Sequence, residues 1–595
     1  MIFSDEIKSC IADAINQLYG SNTDANQILL EPTNKEYIGD VTFVVFPYLK
    51  LSKQNPYQTA QQIGQLLLQQ TSLISNVEVV KGFLNITIND EAYLNAFINP
   101  KTIQNATHTA PVLVEYSSPN TNKPLHLGHV RNILLGFSLS RILAANGYPI
   151  KKVNIVNDRG IHICKSMLAW QLFGNNETPQ TTAIKGDHLV GKYYVVFDAK
   201  YRAQVSEMMR QGIDAAVAEK QAPLMLQVQQ MLRLWEAGDE KTIQLWQTMN
   251  GWVYEGFDAT YQKLGVDFDE IYYESNTYLL GKEIVYEGLQ KGVFFKKEDG
   301  SVWVDLTDEG LDFKLLLRSD GTSVYITQDL GTAKLRFEKY KFEKLIYVVG
   351  NEQDYHFKVL KLIFKKLGYA YWDKLFHMSY NMVDLPSGKM KSREGTVVDA
   401  DDLIAQTISN AETLTRSMAK LDVYDDANAQ QLYHTIGMGA LKYYILKVDP
   451  EKRMLFNPAE SIDINGNTGP FIQYAYARIQ SILRKAQKDD TIKHLLQTKI
   501  SLGQIQMEAK EKELLKAVLQ YQSTVNDAAI KLSPALIAAY AFETAKLFNQ
   551  FYHDHVVIDL NNSDITTFRL QLSLSVANCL RNALYLLGID VADRM

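Results

Sequence analysis

His126 and His129 stand three residues apart in a His-Leu-Gly-His run, His126-Leu127-Gly128-His129, the part of this chain best suited to handle an anion. In the first turn of a helix that spacing puts both imidazoles on one face, where both can donate hydrogen bonds to phosphate oxygens. Gly128, lacking a side chain, lets a flat base or ribose approach the backbone. With 11 His and 33 Gly in the chain, chance occurrences of such a run number ~0.01. Two histidines are also zinc-ligand material, but no nearby Cys or third ligand accompanies them. A second run, at 385–398, sets Lys389, Lys391 and Arg393 in a short loop behind the turn residues Pro386, Ser387 and Gly388. That loop can close cations over a polyphosphate, and three cations are equally compatible with an ordinary solvated loop. The chain has no Walker A pattern, so ATP would need another cradle.

The elements that must position these residues follow from periodicity. A β-rich run at 111–116 leads through a loop punctuated by Pro119 and Pro124 into a helical pattern of Val130, Ile133, Leu134, Phe137, Ile142 and Leu143. Asn146-Gly147 ends that helix and 152–156 supplies another strand. Strand, helix and strand in succession form a βαβ unit with a parallel sheet. The strand-to-helix turn aims backbone N–H groups and the positive helix end at the crevice, where an anion is the natural guest. Further strands are expected at 323–327, 345–349 and 378–383, with the helical stretch 160–310 inserted between the halves of the sheet. Residues 1–108 read as an α+β appendage, with helices near 4–18 and 60–70 and strands at 77–80 and 83–88. From 401 onward the pattern is helical to the end.

Composition bounds the rest. At 595 residues the chain holds about four structural units. With 46% hydrophobic and 22% charged residues it builds large cores and is not disordered. A net charge of −6 argues, taken alone, against wrapping nucleic acid. Three distant cysteines, Cys10, Cys164 and Cys579, give no disulfide framework and fit a reducing, cytoplasmic setting. Neither a secretory leader nor a membrane span is expected.

These motifs carry a resemblance. His126 to His129 resembles the HIGH motif, and Lys389 to Arg393 the KMSKS loop, of class I aminoacyl-tRNA synthetases. The flanks are similar to the arginyl-tRNA synthetase family: 115–123 to its V-E-x-S-S-P-N…K block, 317–329 to its L-R-S-D-G-T…Y-x-T-x-D block, and 467–482 to its T-G-P-x-x-Q-Y-A helix. The resemblance implies a Rossmann-type (HUP-like) α/β catalytic domain at 109–400, with an insertion at about 160–310. It implies an α+β N-terminal tRNA-contacting domain at 1–108, and an all-α region at 401–595 containing an anticodon-binding bundle from about 465.

It also implies arginine–tRNA ligase activity: activation of L-arginine with ATP, accompanied by Mg²⁺, then transfer to the 2′-OH of the terminal adenosine of tRNA(Arg). His126, His129, Lys389 and Lys123 are the implied catalytic groups, and Leu127, Gly128, Met390 and Arg393 the ATP contacts. Glu115, Asn120, Tyr325, Asp329 and Gln353 are implied for arginine, with Glu115 and Asp329 expected at strand ends, because a planar guanidinium prefers carboxylates in a bidentate fork. The loop departs from the class pattern at Ser392, where a second lysine is usual; Lys123 is the residue that the resemblance offers as its substitute. No resident metal is implied, no membrane partner, and a monomer is expected.

Ten cations against five carboxylates at 334–374 give a local charge of +5 within an acidic chain, a surface that fits a nucleic-acid backbone or a solvated helix face. Gln473, Tyr474 and Arg478 are expected on the tRNA face of the C-terminal bundle, where aromatics and Arg stack unpaired bases. Phe83 and Asn85 are expected to meet the tRNA elbow.

Overall fold

The computed structural model describes residues 2–34, 36–100, 108–384, 398–417, 426–461, 463–500 and 505–595. Its centre is a five-stranded sheet in the spatial order Leu375–Tyr380, Lys344–Gly350, Val112–Glu115, Ile150–Val156, Glu270–Tyr273, and every neighbouring pair is parallel. All four residues of Val112–Glu115 are buried, as expected of an interior strand with helices on both faces. The chain order along the sheet reverses between Val112–Glu115 and Lys344–Gly350. Strands that diverge at this point open a crevice at their carboxyl ends, where ligands of doubly wound folds bind.

Helix Leu127–Ala145 crosses this centre and is buried on nearly every side. Its close approach to the sheet depends on Gly136, where an added Cβ would lie 2.4 Å from Tyr116. At Ser138 the hydroxyl donates to the Leu586 carbonyl at 2.9 Å, tying the helix to the C-terminal bundle. That bundle is formed by Asp426–Leu446, Gly469–Lys488, Ala509–Ile530, Pro534–Asp554 and Ser563–Leu586. At the other end of the chain, an antiparallel sheet in the order Leu30–Pro32, Val41–Val44, Phe83–Ile88, Ile74–Val80 packs against helix Pro56–Gln70, which in turn packs on helix Ser4–Tyr19. Lys512 pairs with Asp90 at 2.7 Å, and Lys516 with Asp40, joining this appendage to the bundle.

Two expectations change. The range 323–327 is not a sheet strand: helix Tyr325–Tyr340 begins there, and the strand before it, Lys314–Leu317, belongs to a separate antiparallel sheet with Phe294–Lys296 and Val302–Val304. The β-branched run Thr322, Val324, Ile326 and Thr327 suggested a strand, and packing overrode that propensity. The span expected as one insertion is also divided, because Glu270–Tyr273 returns to the parallel sheet as its edge strand. Helices Ile161–Phe173 to Glu240–Leu264 therefore form one excursion and 274–317 another.

Candidate active site

The loop after Val112–Glu115 turns sharply. Ser117 and Ser118 both have positive φ, 78° and 45°, a conformation that non-glycine residues hold only when the surroundings fix it. Asn132 accepts the Ser117 N–H at 2.5 Å and Asn154 accepts the Ser118 N–H at 2.9 Å. The Ser117 hydroxyl and Tyr261 hydroxyl lie 2.7 Å apart. Side chains thus fix the strained turn from three elements. Ser118 Oγ, Thr121 Oγ1 and Asn122 Oδ1 in this loop are buried without a hydrogen-bond partner among the described residues. Polar atoms left this way fit a site awaiting a polar ligand. Asn120 is exposed on the same loop and bridges to Asn157.

The two histidines begin helix Leu127–Ala145. Gly128 N–H donates to His126 Nδ1 and His126 N–H donates to His129 Nδ1, each at 3.1 Å, so the pair caps the helix. The rings lie 3.9 Å apart. A Cβ on Gly128 would come within 3.0 Å of the His126 ring, so the glycine makes room for the cap as well as for a ligand. Burial lowers the His126 pKa to about 4 with help from the Lys123 charge, and carries His129 well below its ordinary value. Both imidazoles are therefore neutral near pH 7. Because each Nδ1 accepts a backbone N–H, each ring proton sits on Nε2, leaving two neutral N–H donors at a helix N-terminus.

Lys389, Met390 and Arg393 lie outside the described residues, but the chain on either side of 385–397 is anchored. Val383–Asp384 pairs with Met454–Leu455, and just before that strand the buried Arg131, two residues beyond His129, donates to the carbonyls of Asp449, Pro450 and Lys452 at 3.5, 3.4 and 3.2 Å. On the far side Leu127 N–H donates to the Val398 carbonyl and Ala400 N–H to the Leu125 carbonyl, both at 3.0 Å. The cation-rich segment therefore leaves from, and returns to, the helix that carries the histidines. Beyond it, Asp401 accepts from Lys185 at 2.6 Å, Lys263 at 2.9 Å and His188 at 3.2 Å. Burial pushes the Asp401 carboxyl upward, but those three donors outweigh it and hold it far below the usual carboxylate range. Asp187, His188 and Asp401 lie close enough to hold a cation, yet Lys185 and Lys263 already sit on Asp401.

The expected arginine residues converge from separate elements. Glu115 ends the central strand and is 6% exposed. Asp329 lies not at a strand end but in the second turn of Tyr325–Tyr340, four residues after the exposed Tyr325 and on the same helix face. His356 Nε2 donates to Asp329 Oδ2 at 2.6 Å. Gln353 is exposed in the turn after Lys344–Gly350, the strand that pairs with the one ending at Glu115.

A further carboxylate, Glu274, was missed from sequence. It follows strand Glu270–Tyr273 directly and is 8% exposed. The buried Asp158 fixes its turn by accepting the Ser275 N–H at 2.8 Å and hydroxyl at 2.7 Å. Burial raises the Glu274 pKa to about 7; Arg159 opposes this, and Asp158 and Asp329 reinforce it. Two carboxylates that interact, one half-ionised near neutral pH, are a receptor for a planar cation. The signal that could have found Glu274 was a carboxylate closing a short β-rich run, Glu-Ile-Tyr-Tyr-Glu, inside the range read as an insertion.

The expected tRNA residues divide. Phe83, at the sheet edge of the appendage, packs on Phe46 and lines a cavity of about 250 Å³ with Tyr37, Thr42 and Asn85. Asn85 is 2% exposed; its Oδ1 accepts the Thr42 hydroxyl at 2.7 Å, while its Nδ2 has no hydrogen-bond partner among the described residues. Gln473 is not on a tRNA face: it is fully buried, and its amide donates to the carbonyls of Thr435 at 3.0 Å and Asp590 at 2.8 Å, binding the bundle to the C-terminal tail. Helical periodicity alone could not separate it from Tyr474 and Arg478. The Arg478 guanidinium stacks on Tyr474 and Tyr552, at 4.9 and 5.4 Å from the ring centroids.

Comparison with known proteins gives three matches in chain order. Residues 5–88 match the arginyl tRNA synthetase N terminal domain, 94–457 the catalytic domain described as tRNA synthetases class I (R), and 472–595 the DALR anticodon binding domain. Curated relatives named arginine–tRNA ligase are 53% identical in Bacteroides fragilis and 52% identical in Porphyromonas gingivalis, with all of both chains covered in each case. Among solved structures, an arginyl-tRNA synthetase of Thermus thermophilus shares the fold over the whole of both chains, with a TM-score of 0.79 at 24% identity. Among the described residues no helix is long and apolar enough to cross a membrane.

Proposed function

The chain belongs to the arginyl-tRNA synthetase family, and from that premise we propose how its own residues carry out the family's reaction. It is an arginine–tRNA ligase, a class I aminoacyl-tRNA synthetase. In this reading the arginine carboxylate attacks the α-phosphorus of ATP, giving arginyl-adenylate and pyrophosphate. The 2′-OH of the terminal adenosine of tRNA(Arg) then takes the arginyl group. What supports the reading is that the strand leading to the histidine-capped helix and the strand ending at Glu274 belong to one parallel sheet, with neutral imidazole donors after the first and interacting carboxylates at the second.

His126 and His129 donate Nε2–H to phosphoryl oxygens as charge spreads over them, and Leu127 and Gly128 present the helix end to the nucleotide. Asp329 and Glu274 take the guanidinium, with Tyr325 on the same helix face as Asp329. Glu115, expected from sequence against the guanidinium, already carries the guanidinium of Arg336 and is read instead at the ammonium, with Asn120 and Gln353 near the amino and carboxylate groups. Mg²⁺ travels with the ATP phosphates and supplies charge neutralisation there. Lys389, Met390 and Arg393, outside the described residues, are assigned to the nucleotide by their likeness to the KMSKS loop. A cytoplasmic location and a monomeric state belong to the same reading.

Arginine-dependent ATP–pyrophosphate exchange, measured with and without tRNA, tests the assignment. No exchange and no charging with any arginine tRNA would overturn it. Lys123 is within electrostatic reach of both histidines, which supports its service in place of the lysine missing at 392. Lys123→Ala is then expected to slow exchange at least tenfold; a loss of twofold or less, beside a much larger one for Lys389→Ala, sinks the substitution idea.

The tRNA is held at both ends of the molecule in this reading: the exposed Phe83 at the elbow, with Asn85 buried beneath it rather than in contact, and Tyr474 and Arg478 at the anticodon. Arg478→Ala removes a stacked guanidinium, and base stacking on such groups is worth about 1–3 kcal/mol. Its KM for tRNA is expected to rise roughly 10-fold or more while exchange in saturating tRNA stays unchanged.

A further inference from the structure

Glu115 does not face the crevice alone. Arg336, fully buried about three turns into the helix whose first turns carry Tyr325 and Asp329, donates from Nη1 to Glu115 Oε2. Its guanidinium carbon lies 4.6 Å from the centroid of the Tyr272 ring, and Tyr347 of the neighbouring strand flanks the pair. The chain therefore places a guanidinium of its own on a carboxylate at the point where the sheet order reverses. Among the described residues the side-chain hydrogen bond on Glu115 is this one, at Oε2.

We infer that Arg336 is a positioning residue of the amino-acid site: it keeps the buried Glu115 carboxylate charged and turned, with Oε2 held by the protein and Oε1 left for the α-ammonium of arginine. This rests on the reading that Glu115 meets the amino acid. Burial raises the Glu115 pKa, the Arg336 charge and hydrogen bond lower it, and the nearby Asp329 raises it further. Remove Arg336, and both burial and Asp329 act on Glu115 unopposed, so that it becomes a protonated acid, uncharged and poorer as an acceptor, as the pH falls toward neutrality. Tyr347 and Tyr272 are the other titratable groups against the pair, and burial raises both, so they stay neutral throughout. A bidentate carboxylate for the substrate's guanidinium and a singly shared one for its ammonium are thus built by different means, the first from two acids and the second from an acid and a base.

The test uses the full-length enzyme with tRNA present. Arg336→Met is expected to raise the KM for arginine at least tenfold with the KM for ATP unchanged within about twofold. It also adds a second proton to the pH dependence of kcat/KM for arginine between pH 6 and 8, beyond the one contributed by Glu274. Glu115→Gln raises the arginine KM and removes that added proton, and the double variant is no worse than Glu115→Gln. Should Arg336→Met fail to fold, Arg336→Lys decides: it keeps the charge but loses the guanidinium's geometry, so a severalfold rise in arginine KM with the wild-type pH slope is expected, and an unchanged KM overturns the inference. Equal losses for arginine and ATP, or a wild-type pH slope in a folded Arg336→Met, overturn it as well. If Glu115→Gln leaves the arginine KM unchanged, the role of Glu115 itself is wrong, a failure distinct from that of Arg336.

Discussion

His129→Ala is expected to slow arginine-dependent ATP–pyrophosphate exchange by roughly 10²- to 10³-fold, the range for removing one donor that stabilises charge developing in a transition state, about 2.7–4 kcal/mol. The KM for arginine should hardly change if, as proposed, the histidines serve the phosphates and not the amino acid. His126 needs a gentler replacement, since its Nδ1 also caps the helix. His126→Asn leaves an oxygen able to accept the Gly128 N–H while removing the Nε2–H donor, so a comparable loss in this variant separates catalysis from capping.

The pH dependence follows from the same geometry. Both imidazoles are neutral in the fold, with His126 lowered to about 4 by burial and by Lys123. A histidine whose folded pKa is depressed contributes stability that is present above its unfolded value, about 6.5, and is lost as the pH falls toward 4. Hence kcat at saturating arginine should be flat between pH 6.5 and 8. A decline in kcat across that window as imidazolium deprotonates would show that charged histidines do the work and would contradict the neutral-donor account.

Asp329→Ala is expected to lower kcat/KM for arginine by roughly 30- to 5,000-fold. Truncating one member of a hydrogen-bonded charge pair in a desolvated site costs about 2–5 kcal/mol, much of it from the partner left behind. Here that partner is the substrate guanidinium, and His356 loses its acceptor as well. Glu274→Gln should give a smaller loss with a distinctive pH signature. Glu274 titrates near 7 because it is buried and close to Asp158 and Asp329. An arriving guanidinium favours its ionised form, so in the wild type the KM for arginine falls as the pH rises from 6 to 8. In Glu274→Gln that trend disappears. Steady-state kinetics across this range, with ATP saturating, read both effects; a pH trend that survives in Glu274→Gln would remove Glu274 from the site.

Much of this was legible in the linear chain for local reasons. His126 and His129 act within one helical turn, so their spacing already contained their geometry, and the turn residues before them marked the strand-to-helix junction. The interior strands at 112–115 and 344–350 announced themselves as continuous hydrophobic runs, the signature of burial on both faces. Glu270–Tyr273 did not, because an edge strand with only Tyr272 buried leaves a mixed pattern that a helix-rich neighbourhood obscures. Missing that strand concealed Glu274. Likewise the β-branched residues at 322–327 looked extended until packing drew Tyr325 and Asp329 onto a helix.

By itself, then, the sequence determined the family and its reaction class, the strand-to-helix junction that carries the two histidines, and the succession of an α/β core and a helical C-terminal region. These depend on spacings shorter than a helical turn or on motifs whose residues are neighbours. Only the tertiary structure decided which groups meet: Arg336 on Glu115 across 221 positions, His356 and Glu274 beside Asp329, Gln473 sealed between the bundle and the tail. It also decided the protonation states, since the desolvation that makes the histidines neutral and Glu274 half-ionised is produced by distant segments closing over them, and no local pattern carries that information.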